Sequence, residues 1–173
     1  MTLKRYWIAV LIEMTIIPLM LLYGCQSANQ PEKAALKAKI QRVIEEAWNN
    51  GDLAMLDELY DPGFVRHWPP FDDYTGLDAH KKRIEMIRTA YPDHKTIVLD
   101  ILVDGDRAAV RFNWVGTHTG TGLSIPPTGK RVSVDGCDVY RFANGKIAEE
   151  WVHEGYLSLF QQLGYGITPP KIE

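Results

Sequence analysis

The chain has 173 residues, of which 46% are hydrophobic, and a formal net charge of −3 at pH 7. This length and apolar content predict one globular domain with a sizeable core, because single domains commonly run to about 100–200 residues. No basic run stands out, so we expect no nucleic-acid partner.

The N-terminal segment differs from the rest of the chain. Two basic residues precede an apolar run, 6–23, which ends at Gly24-Cys25. This pattern is typical of a secretory signal, and its end is similar to a bacterial lipobox, in which the cysteine is acylated. We therefore predict a lipoprotein signal peptide over 1–24, lipidation at Cys25, a polar tether over 25–32 and an exported, membrane-anchored protein. An uncleaved membrane anchor is the alternative.

Three helices are predicted at the start of the domain. The first begins near Pro31 and ends at Asn50-Gly51. A shorter apolar stripe follows, and we expect Asp61-Pro62-Gly63 to stop it. The third helix begins at a capping box, Thr75 to Asp78, and His80 is expected to pack on its apolar face.

Four strands are predicted after the helices, because apolar residues then alternate with polar ones. In the second strand Trp114 and His118 share the apolar face, and in the third Asp138 and Tyr140 do. Cys137 is expected to be a small core residue. Helices that precede an antiparallel sheet predict an α+β fold with the sheet curling around the helices, and an apolar C-terminal segment predicts a short closing helix.

The last strand carries the candidates for chemistry. Strict alternation places Glu149, Trp151 and His153 on one face, which we take to be the inner face, and Glu154 on the other. Glu154 could face inward only if the strand has ended or bulged before it.

The loop GTHTGTGLSIPPTGK, residues 116–130, has the glycine content of a phosphate-binding loop. A P-loop needs glycine five residues before Gly129 and serine or threonine after Lys130, but Ser124 and Arg131 occupy those positions. A strand-like pattern follows where a helix is required. The loop is therefore not predicted to bind a nucleotide.

Three stretches of this sequence, AWNNGDLAMLDELYDPGFVRHWPP, GTHTGTGLSIPPTGK and VYRFANGKIAEEWVHEGYLSLFQQLG, resemble the SnoaL-like polyketide cyclases, also called ester cyclases. The resemblance covers residues 33–166 and leaves 167–173 as a tail. It implies the nuclear transport factor 2-like cone, in which a curved antiparallel sheet wraps about three N-terminal helices around a deep apolar pocket. It also implies a homodimer and an intramolecular aldol ring closure without metal or cofactor.

In that family an aspartate a few residues after the EEW segment acts as acid and base in a dry pocket. Aligning the chain through QQLG places this aspartate at Gly155, so the family acid is absent. His153 becomes the first catalytic candidate, because imidazole exchanges protons near neutral pH. Glu149 is the second, either to orient a histidine or to pair with a base elsewhere.

The predicted ligand-binding residues are taken from the apolar faces of the predicted strands and from the family resemblance. They are His67, Trp114, His118, Asp138, Tyr140 and Trp151, and a hydrogen-bonded structural role is the alternative for the histidines, Asp138 and Tyr140. The sequence contains no His-Glu-x-x-His spacing, so we predict no metal site. Two functions remain open: a cofactor-free acid/base cyclase or isomerase acting on a small apolar carbonyl compound, and a non-catalytic protein that binds a small hydrophobic ligand.

Overall fold

The computed structural model describes residues 30–122, 125–166 and 168. The predicted signal peptide, Cys25, most of the tether and most of the tail lie outside the described residues. The described residues from Leu36 onward form one compact unit. Within the described ranges, no helix has both the length and the apolar character needed to cross a membrane.

The helices of the structure agree with the predicted ones in number but not in length. Helix α1 (Gln30–Arg42) continues into a π-helical segment, Val43–Asn49, which buries its apolar side. The second predicted helix is a single turn, α2 (Leu56–Leu59). Asp61-Pro62-Gly63 does not stop it but lies within a strand, β1 (Tyr60–His67), where the pairing is irregular and a proline is tolerated.

Helix α3 covers Leu77–Ala90. Its N-cap is Gly76, with no side-chain hydrogen bond to the first turn, so the predicted capping box does not form. His80 is fully buried on the helix, as predicted, and its Nδ1 lies 2.9 Å from the Tyr74 hydroxyl oxygen.

The sheet has six strands in the order β2-β1-β6-β5-β4-β3. Neighbouring strands are antiparallel except β1 and β6, which are parallel. The sequence did not predict the parallel pair, because it did not predict β1. With its helices the sheet gives the predicted α+β class. The remaining elements are β2 (Tyr74–Thr75), β3 (Lys95–Asp104), β4 (Arg107–Thr117), β5 (Arg131–Ala143), β6 (Lys146–Trp151) and α4 (Tyr156–Leu163).

The inner face of β4 and β5 follows the predicted alternation. Trp114, His118, Asp138 and Tyr140 are all buried. Cys137 is exposed, so its predicted place in the core is wrong. The reason is the same alternation, because a residue next to inward-facing Asp138 must face outward.

Strand β6 contains one extra residue. In β5, Arg141 pairs with Glu149 and the adjacent Phe142 pairs with Ile147. Ala148, which lies between these two partners in β6, is therefore left without a partner. Such a β-bulge exchanges the two faces of the strand beyond it. The new register continues past the strand end, where the Cys137 amide donates to the His153 carbonyl oxygen over 2.9 Å and Gly136 bridges to Glu154.

The bulge decides which side chains reach the interior. Glu150 and Val152 are buried, whereas His153 is exposed. The predicted inward facing of Glu149, Trp151 and His153 is therefore wrong, and the condition under which Glu154 faces inward is met.

The glycine-rich loop packs against the C-terminal end of α3. The Gly120 amide donates to the Ala90 carbonyl oxygen over 3.0 Å. A Cβ atom at Gly120 would lie 1.7 Å from the Thr89 carbonyl oxygen, and one at Gly122 would lie 1.9 Å from that of Met86. The glycines thus allow close approach between two backbones.

Candidate active site

A cavity of about 530 Å³ lies between α3, α4, the segment after β1 and the inner face of the sheet. This size falls within the roughly 300–1,000 Å³ of pockets that bind small molecules. Most of its lining is aromatic or aliphatic, and the charged lining residues are Lys82, Arg83 and Glu154. The apolar lining residues are Trp68, Phe71, Tyr74, Ala79, Met86, Ile87, Tyr91, Trp114, Ile125, Tyr156, Leu159, Phe160 and Leu163.

One side of the cavity is an aromatic cluster from the segment after β1 and the start of α4. The ring centroids of Trp68 and Phe71 lie 4.3 Å apart, and those of Phe71 and Tyr156 lie 5.3 Å apart. The Trp68 indole N–H donates to the Tyr156 hydroxyl oxygen. The segment that follows His67 reaches the pocket through Trp68 and Phe71.

Glu154 brings a carboxyl group to this apolar cavity. It lies opposite Gly136, where a Cβ atom would come within 2.4 Å of the Phe112 ring. Burial raises the pKa of Glu154 above its ordinary value of 4.5, against the positive charges of Arg66 and Arg83 and a hydrogen bond from Tyr156. A carboxyl with a raised pKa can give and accept protons nearer neutral pH.

A smaller chamber of about 40 Å³ adjoins the cavity, and Arg83 and Glu154 line both. Asp138 and Tyr140 line the chamber. Burial, and next the charge of Glu150, raise the pKa of Asp138 well above its ordinary value, and the His153 backbone amide donates to Asp138 Oδ1 over 3.2 Å. Burial in this chamber therefore favours the neutral form of Asp138 more than an exposed position would.

An ion pair lies beside the chamber. Arg66 and Glu150 are neighbours across the parallel strands β1 and β6, and their Nη1 and Oε2 atoms lie 3.2 Å apart. Only 2% of Arg66 and 1% of Glu150 is exposed, so each charge needs the other. The pair leaves this part of the interior electrically balanced.

Three of the predicted ligand-binding residues line these spaces: Trp114 lines both, and Asp138 and Tyr140 line the chamber. His118 is buried on the inner face but is not among the lining residues. Its ring centroid lies 5.1 Å from that of Tyr91, and its Nδ1 lies 3.3 Å from the Thr128 hydroxyl oxygen. Its environment is that of a hydrogen-bonded packing residue.

The other predicted residues lie on the outer face of the sheet. His67 Nδ1 lies 2.7 Å from a carboxylate oxygen of Asp73, and its Nε2 lies 3.0 Å from one of Glu149. Arg141 Nε also donates to Glu149, over 2.7 Å, so Glu149 has two partners on the outer face. The bond to Glu149 is the main cause of the raised pKa of His67.

The outward facing of these residues has two physical causes. His67 pairs with Trp151 in the parallel register, and their rings stack at 5.1 Å. The bulge at Ala148 then turns Trp151 and His153 outward. The sequence prediction that His67, Trp151, Glu149 and His153 line the pocket is therefore wrong.

Two inward-facing residues that were missed, Arg83 and Glu150, could have been found from sequence spacing. Ala79, Arg83 and Ile87 follow one another at four-residue spacing, which places Arg83 beside the apolar stripe of α3. Glu149 and Glu150 are consecutive in a strand, so one of them must face inward. No group of three or more His, Cys, Asp or Glu residues within the described ranges is arranged to hold a metal ion.

The raised pKa of Glu154 predicts a pH-dependent cost to stability. Below its ordinary pKa of 4.5 the carboxyl is protonated in both the folded and the unfolded chain. As the pH rises through 4.5 and up to the folded pKa, ionisation favours the unfolded chain, so stability is lost across that window and stays lost above it. We expect Glu154→Gln to raise the free energy of unfolding relative to wild type at pH 8 more than at pH 4.

Urea unfolding at both pH values measures this difference. Glu85→Gln, at an exposed position of α3, is the matched control and should change little at either pH. Equal effects of Glu154→Gln at pH 4 and pH 8 would contradict the raised pKa.

Comparison with known proteins agrees with this geometry. Residues 38–163 match the SnoaL-like polyketide cyclase family. The chain is 26% identical over 138 residues to the aklanonic acid methyl ester cyclase DauD of Streptomyces sp. (strain C5), covering 76% of this chain and 83% of that one. It is 25% identical over 138 residues to the cyclase DnrD of Streptomyces peucetius, which has the same name, covering 76% of this chain and 92% of that one.

A solved structure with a similar fold is TsrD from Streptomyces laurentii, at a TM-score of 0.68 and 27% identity, covering 76% of this chain and 96% of that one. The mixed α+β fold, with its curved and unclosed sheet, is the nuclear transport factor 2-like fold that the resemblance implied. With the family match extending over most of the chain, from within α1 to the end of α4 and including Glu154, the protein belongs to the SnoaL-like polyketide cyclases.

Proposed function

We propose that this protein is a cofactor-free acid/base cyclase that closes a ring in a small apolar carbonyl compound of the polyketide type. The observation that carries the proposal is Glu154, a carboxyl of raised pKa that lines an otherwise largely apolar cavity. The relatives DauD and DnrD are named for ring closure of a methyl ester, which supports the reaction class.

In the proposed reaction the Glu154 carboxylate removes a proton from the carbon next to a carbonyl group, which leaves an enolate. The enolate carbon attacks a second carbonyl carbon of the same molecule, and a carbon–carbon bond forms as the carbonyl π bond becomes an alkoxide. The alkoxide then takes the proton back from Glu154. No atom is gained or lost, so a single carboxyl with a suitable pKa can serve both steps.

The surroundings of Glu154 suit this role. Tyr156 favours the carboxylate form of Glu154, and the Tyr156 hydroxyl oxygen accepts from the Trp68 indole N–H. The charges of Arg66 and Arg83 act on Glu154 and make the potential at this end of the cavity more positive, which favours an enolate. The apolar wall keeps water away from the reacting carbons.

Glu154→Gln should lower the rate of ring closure by about 10²–10⁴-fold, the usual contribution of general acid–base catalysis. Aklanonic acid methyl ester, from the names of the relatives, is the first probe. Ring closure does not change its mass, so chromatography follows the product, and mass spectrometry in D₂O follows deuterium uptake at the acidic carbon.

His153→Gln is the matched control, since His153 lies on the exposed side of the same segment. Its rate should equal that of wild type. Turnover that survives Glu154→Gln, or that falls as far in His153→Gln, would contradict the assignment. A probe that binds without turnover or deuterium uptake would favour the non-catalytic binding protein.

We further propose that the domain is tethered to the outer side of a membrane through a lipid on Cys25. The support is the sequence pattern of the first 25 residues alone. Cys25→Ser should release the protein into the soluble fraction, and globomycin should make the wild-type precursor accumulate. Unchanged processing and membrane association of Cys25→Ser would show that the lipobox interpretation is wrong.

We also propose a homodimer, as the family resemblance implies. Strand β3 exposes apolar side chains that a second copy could cover: 47% of Leu99 and 65% of Leu102 is exposed. Sedimentation of the soluble domain from Gln26 onward should give the mass of a dimer, and Leu99→Lys should shift it toward the monomer. A monomer at high micromolar concentration would count against this proposal.

A further inference from the structure

Arg83 is half-buried and differs from Arg66, the buried cation of the interior. Its guanidinium carbon lies 3.9 Å from the centroid of the Trp68 ring, and its side chain lines both the cavity and the adjoining chamber. Arg66 has Glu150 as its ion-pair partner, whereas Arg83 forms neither an ion pair nor a hydrogen bond with any described residue.

Such an arrangement is costly without a ligand. A guanidinium carries five N–H donors in a planar fork, and a charge removed from water needs a partner of opposite sign. The face of Trp68 compensates for part of the lost hydration but accepts none of the N–H donors. Burial, and next the charge of Arg66, lower the pKa of Arg83 to about 10, which still leaves it charged at neutral pH.

The neighbouring carboxyl groups do not supply the missing charge. Glu150 is already committed to Arg66. Glu154 lines the same two spaces, but its pKa and that of Asp138 are raised by burial, so both favour the neutral form more than an exposed carboxyl does. The end of the cavity that holds Arg83 is therefore short of negative charge.

We propose that Arg83 binds an oxyanionic group of the ligand, so that the cavity selects organic anions: molecules with an apolar body and one group such as a carboxylate. The apolar body would lie against the aromatic wall, and the anion would accept hydrogen bonds from the guanidinium that stacks on Trp68. This proposal rests on the proposed function in taking the cavity as the substrate site. It adds that the natural substrate is an acid, whereas the relatives DauD and DnrD are named for a methyl ester.

Two fluorescent dyes form a matched pair of probes. The anionic dye 1-anilinonaphthalene-8-sulfonate and the neutral dye N-phenyl-1-naphthylamine share the same aromatic body and differ by the sulfonate. Arg83→Gln should weaken binding of the anionic dye by about 10-fold or more, the contribution of hydrogen bonds to a charged group. Binding of the neutral dye should stay within about twofold, and Arg83→Lys should retain most of the preference for the anion.

Arg111→Gln makes the same chemical change on an exposed position of the outer face and should leave both dye affinities as in wild type. An unchanged affinity of Arg83→Gln for the anionic dye would overturn the proposal. An equal loss in Lys82→Gln would also overturn it, because the general positive field would then attract the anion.

The two dyes separate this proposal from the proposed function. If wild type binds the neutral dye but shows no Arg83-dependent preference for the anionic dye, only the proposal that the cavity selects organic anions fails. If wild type binds neither dye, the cavity is not a site for apolar ligands, and the proposed function fails together with this inference.

Discussion

The one-residue bulge at Ala148 is the constraint on which the candidate site depends. Without it, regular alternation would place Glu149 and His153 inside and Glu154 outside. With it, Glu150 meets Arg66 in the interior, and Glu154 reaches the cavity opposite Gly136. A bulge leaves one residue unpaired and locally disrupts the ladder, and here that local irregularity determines the chemistry of the interior.

The interior that results combines an apolar wall with a small set of charges at one end. Arg66 and Glu150 neutralise each other, which leaves Arg83 and Glu154 at the junction of the cavity and the chamber. Charged groups that share a low-dielectric space interact strongly, and each changes the pKa of the others. The same burial raises the pKa of Glu154 and lowers that of Arg83, so the two groups that the proposals assign to proton transfer and to ligand binding share one environment.

Much of the fold could be predicted from the sequence, because periodicity reports burial directly. The alternation in β4 and β5 placed Trp114, Asp138 and Tyr140 correctly on the inner face. Strand β1 was missed, since Asp61-Pro62-Gly63 is typical of a turn and its pairing with β6 is non-local. The inward-facing residues of β6 were missed because a bulge is set by pairing with another strand, and no pattern within KIAEEW marks Ala148 as the extra residue.

The central claim of the proposed function is that Glu154 serves in place of the family aspartate, as a half-buried acid of raised pKa. The most direct test is a carbon-13 NMR titration of the glutamate side-chain carboxyl groups in the full domain, with Glu154→Gln to assign the resonance. We expect the resonance that disappears in this variant to titrate clearly above the ordinary value of 4.5. Titration of that resonance at or below 4.5 would show that Glu154 is solvated or fully ion-paired, and would contradict the account.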